Sequence, residues 1–342
     1  MKFLVVGAGA VGGYLGACLA RSGAEVTLFA RGPHLRAMQE HGLRVQDLAG
    51  DFVVHPRTIS DLTEAGPADV IILGVKAHSL TQLAPQIKPL IREDTTVVST
   101  QNGVPWWYFQ IGAGERTGMP LERVDPGGII GKAIDPRRVL GSIIYFSSEV
   151  PQPGVIHHTE GQRVTLGEPG GIQSDRSRRI AEALIAAGLR APVTAHLRAE
   201  IWVKLLGNVA FNPISALTHA TLSGMAHDPD VLILVRHIMT EVEAVAIKLG
   251  IELPVTIEQR IAGAARAGDH KTSMLQDLEA GRPLELEAIV GAVLEIGEKL
   301  GISMPHTSAV YACAKLLERV SERREERPAV EAAANALPTH ER

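Results

Sequence analysis

Cysteine is nearly absent: Cys18 and Cys313 are the only two in 342 residues, far apart and outside any Cys-x-x-Cys spacing. That scarcity excludes a disulfide framework and a thiolate metal site, and it fits a reducing cytosol. Aromatics are scarce too, 4% of the chain, so the packing must rest on Ala, Val, Ile and Leu. Lys and Arg form no long basic run and the net charge is −4, which argues against a nucleic-acid partner. No apolar stretch approaches the roughly 20 residues of a membrane span. The opening residues Met1-Lys2-Phe3-Leu4-Val5-Val6 run straight into glycines, without the longer apolar core of a secretory signal. A cytoplasmic protein with no membrane partner is therefore expected. Gly-x-Ser-x-Gly, Walker and His-Glu-x-x-His patterns are missing as well. The adjacent His157 and His158 fall in a strand-like run and would face opposite sides of a sheet, so no metal is expected.

What is present reads as two domains, since 342 residues exceed one ordinary core. Short apolar runs at 3–6, 25–30, 52–54, 69–75 and 95–100 alternate with amphipathic segments, the first of them a helix over 11–21. Strands buried on both faces and separated by helices predict a parallel α/β sheet. Residues 112–131 are rich in Gly and Pro with weak periodicity. The runs 139–147 and 155–166 read as strands at the edge of this domain, with Pro151 and Pro153 marking a turn between them. From His196 onward the pattern is helical. One helix over 199–211 is expected to stop at Pro213. A longer one opens at Asp228-Pro229 and closes at Gly250. Two more cover 286–300 and 305–320. The expected division is 1–192, 193–325 and a disordered tail over 326–342.

The segment Gly7-Ala8-Gly9-Ala10-Val11-Gly12 follows the first strand and opens the first helix. In that position the first glycine permits a tight turn, and the second lets backbone approach a pyrophosphate. The third allows close strand–helix contact, and the helix N-terminus offers free N–H groups. The segment therefore predicts dinucleotide binding in a Rossmann domain. The second strand ends at Arg31, with no carboxylate nearby to take a ribose 2′-OH. A guanidinium there suits a 2′-phosphate, so NADPH is expected; the plainer alternative is a solvated surface arginine.

Further blocks are spread along the chain: Val75-Lys76-Ala77, Gln101-Asn102-Gly103, Arg198-Ala199-Glu200-Ile201-Trp202-Val203-Lys204-Leu205, Asn208, Phe211-Asn212-Pro213 and Ala216-Leu217. Ser273-Met274-Leu275-Gln276-Asp277-Leu278 follows, and then Glu285. In order and spacing these resemble the ketopantoate reductase family (2-dehydropantoate 2-reductases) from Lys2 to about Pro305. The resemblance implies a Rossmann domain followed by an all-α domain of the 6-phosphogluconate dehydrogenase C-terminal-like type. It further implies NADPH-dependent reduction of ketopantoate to pantoate, a small-molecule 2-oxo acid substrate, and a possible homodimer. Other members act on other branched 2-oxo acids.

Lys204, Asn208 and Asn212 stand at i, i+4 and i+8, on one face of a continuous helix, with Glu200 one turn before the lysine as a first ion-pair partner. Ketone reduction needs a proton on the oxygen that becomes an alkoxide, and a lysine ammonium can polarise the carbonyl and donate that proton. The resemblance gives Lys204 this role and makes Glu285 the acid that orients it or binds the substrate hydroxyl. It makes Asn208, Asn212, Ser273 and Asn102 substrate contacts, and places Lys76 and Asn102 by the nicotinamide. Each has a plainer alternative: Asn212 a helix-end cap, Ser273 an N-cap, Asn102 a turn residue, and Glu285 a solvated carboxylate like nearby Glu287.

The chain departs from the family pattern at His270, where an asparagine is frequent, and at Val290-Gly291, where Asn-Gly is frequent. The stretch Trp106-Trp107-Tyr108-Phe109 is unusually aromatic. It either packs the loop or lines a pocket for a bulkier or aromatic 2-oxo acid. From another class, a dinucleotide-binding redox sensor without turnover has no use for the lysine set; a 3-hydroxy acid dehydrogenase would carry other motifs.

Overall fold

The computed structural model describes residues 1–335, with side chains as far as Glu322; residues 336–342 of the expected tail lie outside the described residues. The chain forms two compact units, Met1–Ile201 and Trp202–Arg342. This division falls inside a helix, whereas the sequence pattern placed it at 192/193.

The first unit runs β1 (Lys2–Val6), α1 (Ala10–Arg21), β2 (Glu25–Phe29), α2 (Gly32–His41), β3 (Leu43–Gln46), β4 (Phe52–Val54), β5 (Arg57–Ile59), β6 (Val70–Leu73), α3 (Ala77–Ile87), β7 (Thr96–Ser99), α4 (Ile129–Ala133), β8 (Val139–Gln152), β9 (Val155–Gly167) and α5 (Asp175–Ala186). The strands form one nine-stranded sheet in the order β4-β3-β9-β8-β7-β6-β1-β2-β5. Strands β5, β2, β1, β6, β7 and the start of β8 run parallel. The β3–β4 and β8–β9 pairs are antiparallel, so the sheet is mixed rather than purely parallel. β8 and β9 are not edge strands, as their position in the chain implied. β3 pairs with the far side of β9, leaving β4 and β5 as the edges.

Val5, Val6, Leu28, Ile71 and Leu73 in the central strands are fully or almost fully buried, and α1 covers one face with Leu15, Cys18 and Leu19. Strand order reverses between β1 and β6, and the carboxyl ends at such a switch point are where open α/β sheets bind ligands.

The second unit is helical. It contains most of α6 (Leu197–Thr218), then α7 (Leu222–His227), α8 (Pro229–Lys248), α9 (Ile257–Arg266), α10 (Ser273–Glu279), a π-turn (Glu287–Gly291), α11 (Ala292–Lys299) and α12 (Pro305–Asn335). The Asp228 carboxylate accepts the Asp230 and Val231 N–H groups, Pro229 opens α8, and Gly250 adopts φ +77° just past its end. Its buried stripe Val235, Ile238, Met239, Val242, Val245 and Ala246 follows helical spacing. α6 does not stop at Pro213 but continues through it to Thr218. An interior proline costs about 3 kcal/mol. Phe211, Ile214 and Ala216 are buried around it, and burial of large apolar side chains at about 1.5–3 kcal/mol each offsets that cost. No helix among the described residues is long and apolar enough to cross a membrane.

Candidate active site

In the first unit the glycine turn leaves β1 and enters α1. The Gly7 and Ala8 N–H groups donate to the Phe29 carbonyl at 3.1 and 3.0 Å, clamping the turn to the end of β2. Gly7 has φ +101°, and a Cβ there would stand 2.4 Å from Val75 Cγ1. A Cβ on Gly12 would stand 2.1 Å from the Gly7 carbonyl oxygen, so neither glycine tolerates a side chain. At Gly9 a Cβ would meet nothing within 4 Å. The backbone is thus open on the side from which a pyrophosphate would approach, beside the free N–H groups that begin α1, including those of Ala10 and Val11. This cradle fits a dinucleotide.

His34 supports the turn from behind, and the sequence patterns gave no sign of it. The Gly154 N–H donates to His34 Nδ1 at 2.9 Å, so Nε2 carries the ring proton and donates to the Ala8 carbonyl at 2.9 Å. Burial holds this imidazole below its usual pKa, in keeping with the neutral form. Arg31 caps α2 as an exposed residue, its guanidinium 5.2 Å from the centre of the Phe29 ring.

Lys76 caps α3, and its ammonium nitrogen is buried. The Gln101 amide donates to the Leu73 and Val75 carbonyls at 2.7 and 2.9 Å and accepts from Ser99 Oγ. Gln101 therefore ties the loop carrying Asn102 to the loop carrying Lys76. Gly103, at φ +85°, completes the turn after Asn102. Trp106, Trp107, Tyr108 and Phe109 are each at most 3% exposed. Arg198 lies over the Tyr108 ring at 4.4 Å and donates to the Ile111 and Pro169 carbonyls. These aromatics pack the loop and present no surface to a ligand.

In the second unit α6 carries Lys204, Asn208 and Asn212; the first two are half-buried and Asn212 is buried. Burial pushes the Lys204 ammonium down to about 8, Glu285 raises it, and Arg260 lowers it. Glu285, whose charge raises it, comes from the segment before the π-turn. Nearby Glu287 accepts from the Tyr311 hydroxyl and from Lys315, both at 2.9 Å. A Cβ on Gly291 would stand 2.4 Å from Glu287 Oε2, so the carboxylate end lies against the bare backbone there. Ser273 is the exposed first residue of α10, and the capping task falls to Thr272, whose Oγ1 accepts the Leu275 N–H. His270 sits in the loop whose carbonyls anchor α7, through Leu222 N–H to His270 and Ser223 N–H to Gly268.

A family model described as ketopantoate reductase PanE/ApbA matches residues 3–171, and its C-terminal counterpart matches residues 196–318. The chain belongs to the ketopantoate reductase family. Within the family, 47% of residues are identical to a 2-dehydropantoate 2-reductase of Mesorhizobium japonicum, over 93% of this chain and 98% of that protein. A relative from Nostoc with the same name is 28% identical over 93% of this chain and 95% of its own. Among solved structures, a candidate ketopantoate reductase from Ralstonia solanacearum is 39% identical with a TM-score of 0.89, covering 93% of this chain and 98% of that one. The fold alone is shared with D-mandelate dehydrogenase, 24% identical with a TM-score of 0.81 over 94% of this chain and 100% of that one; that enzyme was solved with NADH and anilino(oxo)acetate.

Proposed function

We propose that this chain uses NADPH to reduce 2-dehydropantoate (ketopantoate) to pantoate, a step toward pantothenate and coenzyme A. The observation that carries the reading is the Lys204–Glu285 pair on a face of α6 that also bears Asn208 and Asn212. A redox sensor needs no proton donor tuned toward neutrality, whereas a reductase does.

The turn from Gly7 through Ala8, Gly9, Ala10 and Val11 to Gly12 would hold the pyrophosphate of the cofactor, Arg31 its 2′-phosphate, and Lys76 and Asn102 the nicotinamide side. When bound, the reduced nicotinamide supplies a hydride to the 2-oxo carbon. Lys204 polarises the ketone and donates a proton to its oxygen as negative charge develops there. With a pKa of about 8 the ammonium is mostly charged at neutral pH and still gives up its proton readily. Glu285 keeps the lysine charged against the cost of burial. Asn208, Asn212 and Ser273 hold the hydroxyl and carboxylate groups of the substrate without adding charge. The cytosol is the compartment this reading assigns, and a homodimer the assembly; a dimer is recorded for a relative from Staphylococcus aureus.

The test is NADPH absorbance in the presence of ketopantoate and a panel of branched and aromatic 2-oxo acids. Rapid loss of NADPH with ketopantoate is expected. Lys204→Ala should lower kcat by about 10²- to 10⁴-fold, the range for a removed general acid. Turnover of only an aromatic acid would reassign the substrate; cofactor binding without turnover of any acid would sink the reductase reading.

A further inference from the structure

We infer that His34 is a positioning residue for the dinucleotide, fixing the peptide between Ala8 and Gly9, and that it does so only as the neutral Nε2–H tautomer. The inference rests on the dinucleotide reading of the glycine turn. His34 stands in the first turn of α2, the helix that Arg31 caps. Its ring joins three segments distant in sequence. Nε2 donates to the Ala8 carbonyl of the glycine turn at 2.9 Å, and Nδ1 accepts the Gly154 N–H, between β8 and β9, at 2.9 Å. The Ala8 N–H is itself taken by the Phe29 carbonyl, so Ala8 is gripped at both its N–H and its C=O. Gly13, just past the six-residue glycine pattern, leaves that carbonyl its room. A Cβ there would stand 2.9 Å from the Ala8 oxygen, a backbone atom that cannot swing aside. Gly154, at φ +78°, lies as closely on α2, since its Cβ would stand 2.9 Å from Ala37 Cβ.

In a trans peptide the carbonyl oxygen and the following N–H point to opposite sides. Holding the Ala8 oxygen toward His34 therefore turns the Gly9 N–H away from it, at the N-cap of α1. A donor whose direction is set beforehand spares the ligand the cost of ordering it. The two hydrogen bonds require one proton on the ring, carried by Nε2. A second proton, on Nδ1, would set donor against donor at the Gly154 N–H and abolish that bond. The glycine turn and residues 151–154 carry no ionisable side chain, the flanking Glu149 and His157 pair with each other, and Arg31 and Arg36 of α2 are exposed. Burial acts on the ring most strongly and lowers its pKa, against the smaller opposing effect of the Ala8 carbonyl.

The experiment titrates NADP+ and NAD+ onto the full chain by calorimetry between about pH 5 and 8, the range in which histidine changes charge. Wild type, His34→Ala and His34→Gln are compared, with thermal melts to confirm folding at each pH. His34→Ala is expected to weaken both dinucleotides alike, about 3- to 10-fold at the upper pH. Arg31→Ala, by contrast, should act on NADP+ alone. Glutamine keeps an amide donor for the Ala8 carbonyl and does not titrate. His34→Gln should therefore bind nearly as wild type at the upper pH and lose less affinity than wild type as the pH falls; titration of the 2′-phosphate is common to both and cancels. Nitrogen-15 shifts of the His34 ring in the free protein should show the proton on Nε2. Unchanged affinity in His34→Ala, a pH profile shared by His34→Gln and wild type, or a proton on Nδ1 would each overturn the inference. A wild type that binds neither dinucleotide would overturn the cofactor reading of the turn, and this inference with it.

Discussion

Lys204 has an acidity set first by burial and then by the charges of its neighbours, and that makes the pH dependence of the reaction predictable. As a general acid it must be protonated, so kcat/KM for reduction should fall as pH rises through about 8. Glu285 raises the lysine pKa, so Glu285→Gln should move that falling limb to lower pH; a limb that stays in place would remove Glu285 from the pair. At Arg31 the expectation concerns selectivity. Arg31→Ala should weaken NADPH about tenfold or more while leaving NADH little changed, because only the 2′-phosphate loses a charged partner. Equal weakening of both cofactors in titrations would return Arg31 to the solvated surface. Most of the proposed residues were legible one at a time, because glycine turns and helix-spaced polar residues leave marks in sequence. His34 and Gln101 act through partners distant in sequence, which spacing does not reveal. Spacing alone favours Glu285 over Glu287, and the structure adds only that Tyr311 and Lys315 hold the latter.

At the scale of elements, strong local signals translated into structure and weak ones did not. Asp228-Pro229 and Gly250 delimit α8 as their cap chemistry required. Asp228→Ala should lower stability by about 1 kcal/mol, measured by urea unfolding at constant m-value, since two backbone N–H groups lose their acceptor. β3 and β5, of four and three residues, escaped notice because such short runs carry too little alternation to read. β8 lies between β7 and β9, and β9 is interior because β3 returns to pair with it, a long-range choice absent from either strand's own residues. Pro213 misled for a related reason: its local cost is real, but burial on the surrounding turns outweighs it.

For the whole molecule, the half-buried lysine is a cost to folding that the proposed chemistry explains. Its folded pKa of about 8 lies below the unfolded value near 10.5, so the penalty is complete below pH 8 and fades as pH rises toward 10.5. Lys204→Met should therefore raise Tm at pH 7 and do so much less at pH 10, while abolishing turnover. A Tm gain of equal size at both pH values would assign it to better packing rather than to a removed charge. The two-domain plan could be read from composition and periodicity, whereas the boundary could not, because it lies within the continuous helix α6.

The π-turn at Glu287–Gly291 holds one residue more than an ordinary helical turn would. Burial fixes the chain on both sides of it, through Leu284 and Leu286 before and Ala292, Val293 and Ile296 after. Removing it would turn Leu286 and the segment leading into it by about 100° relative to α11, with the composition of the site unchanged. The chain thus carries, in a single extra peptide unit, an angular offset that no substitution at the site could reproduce.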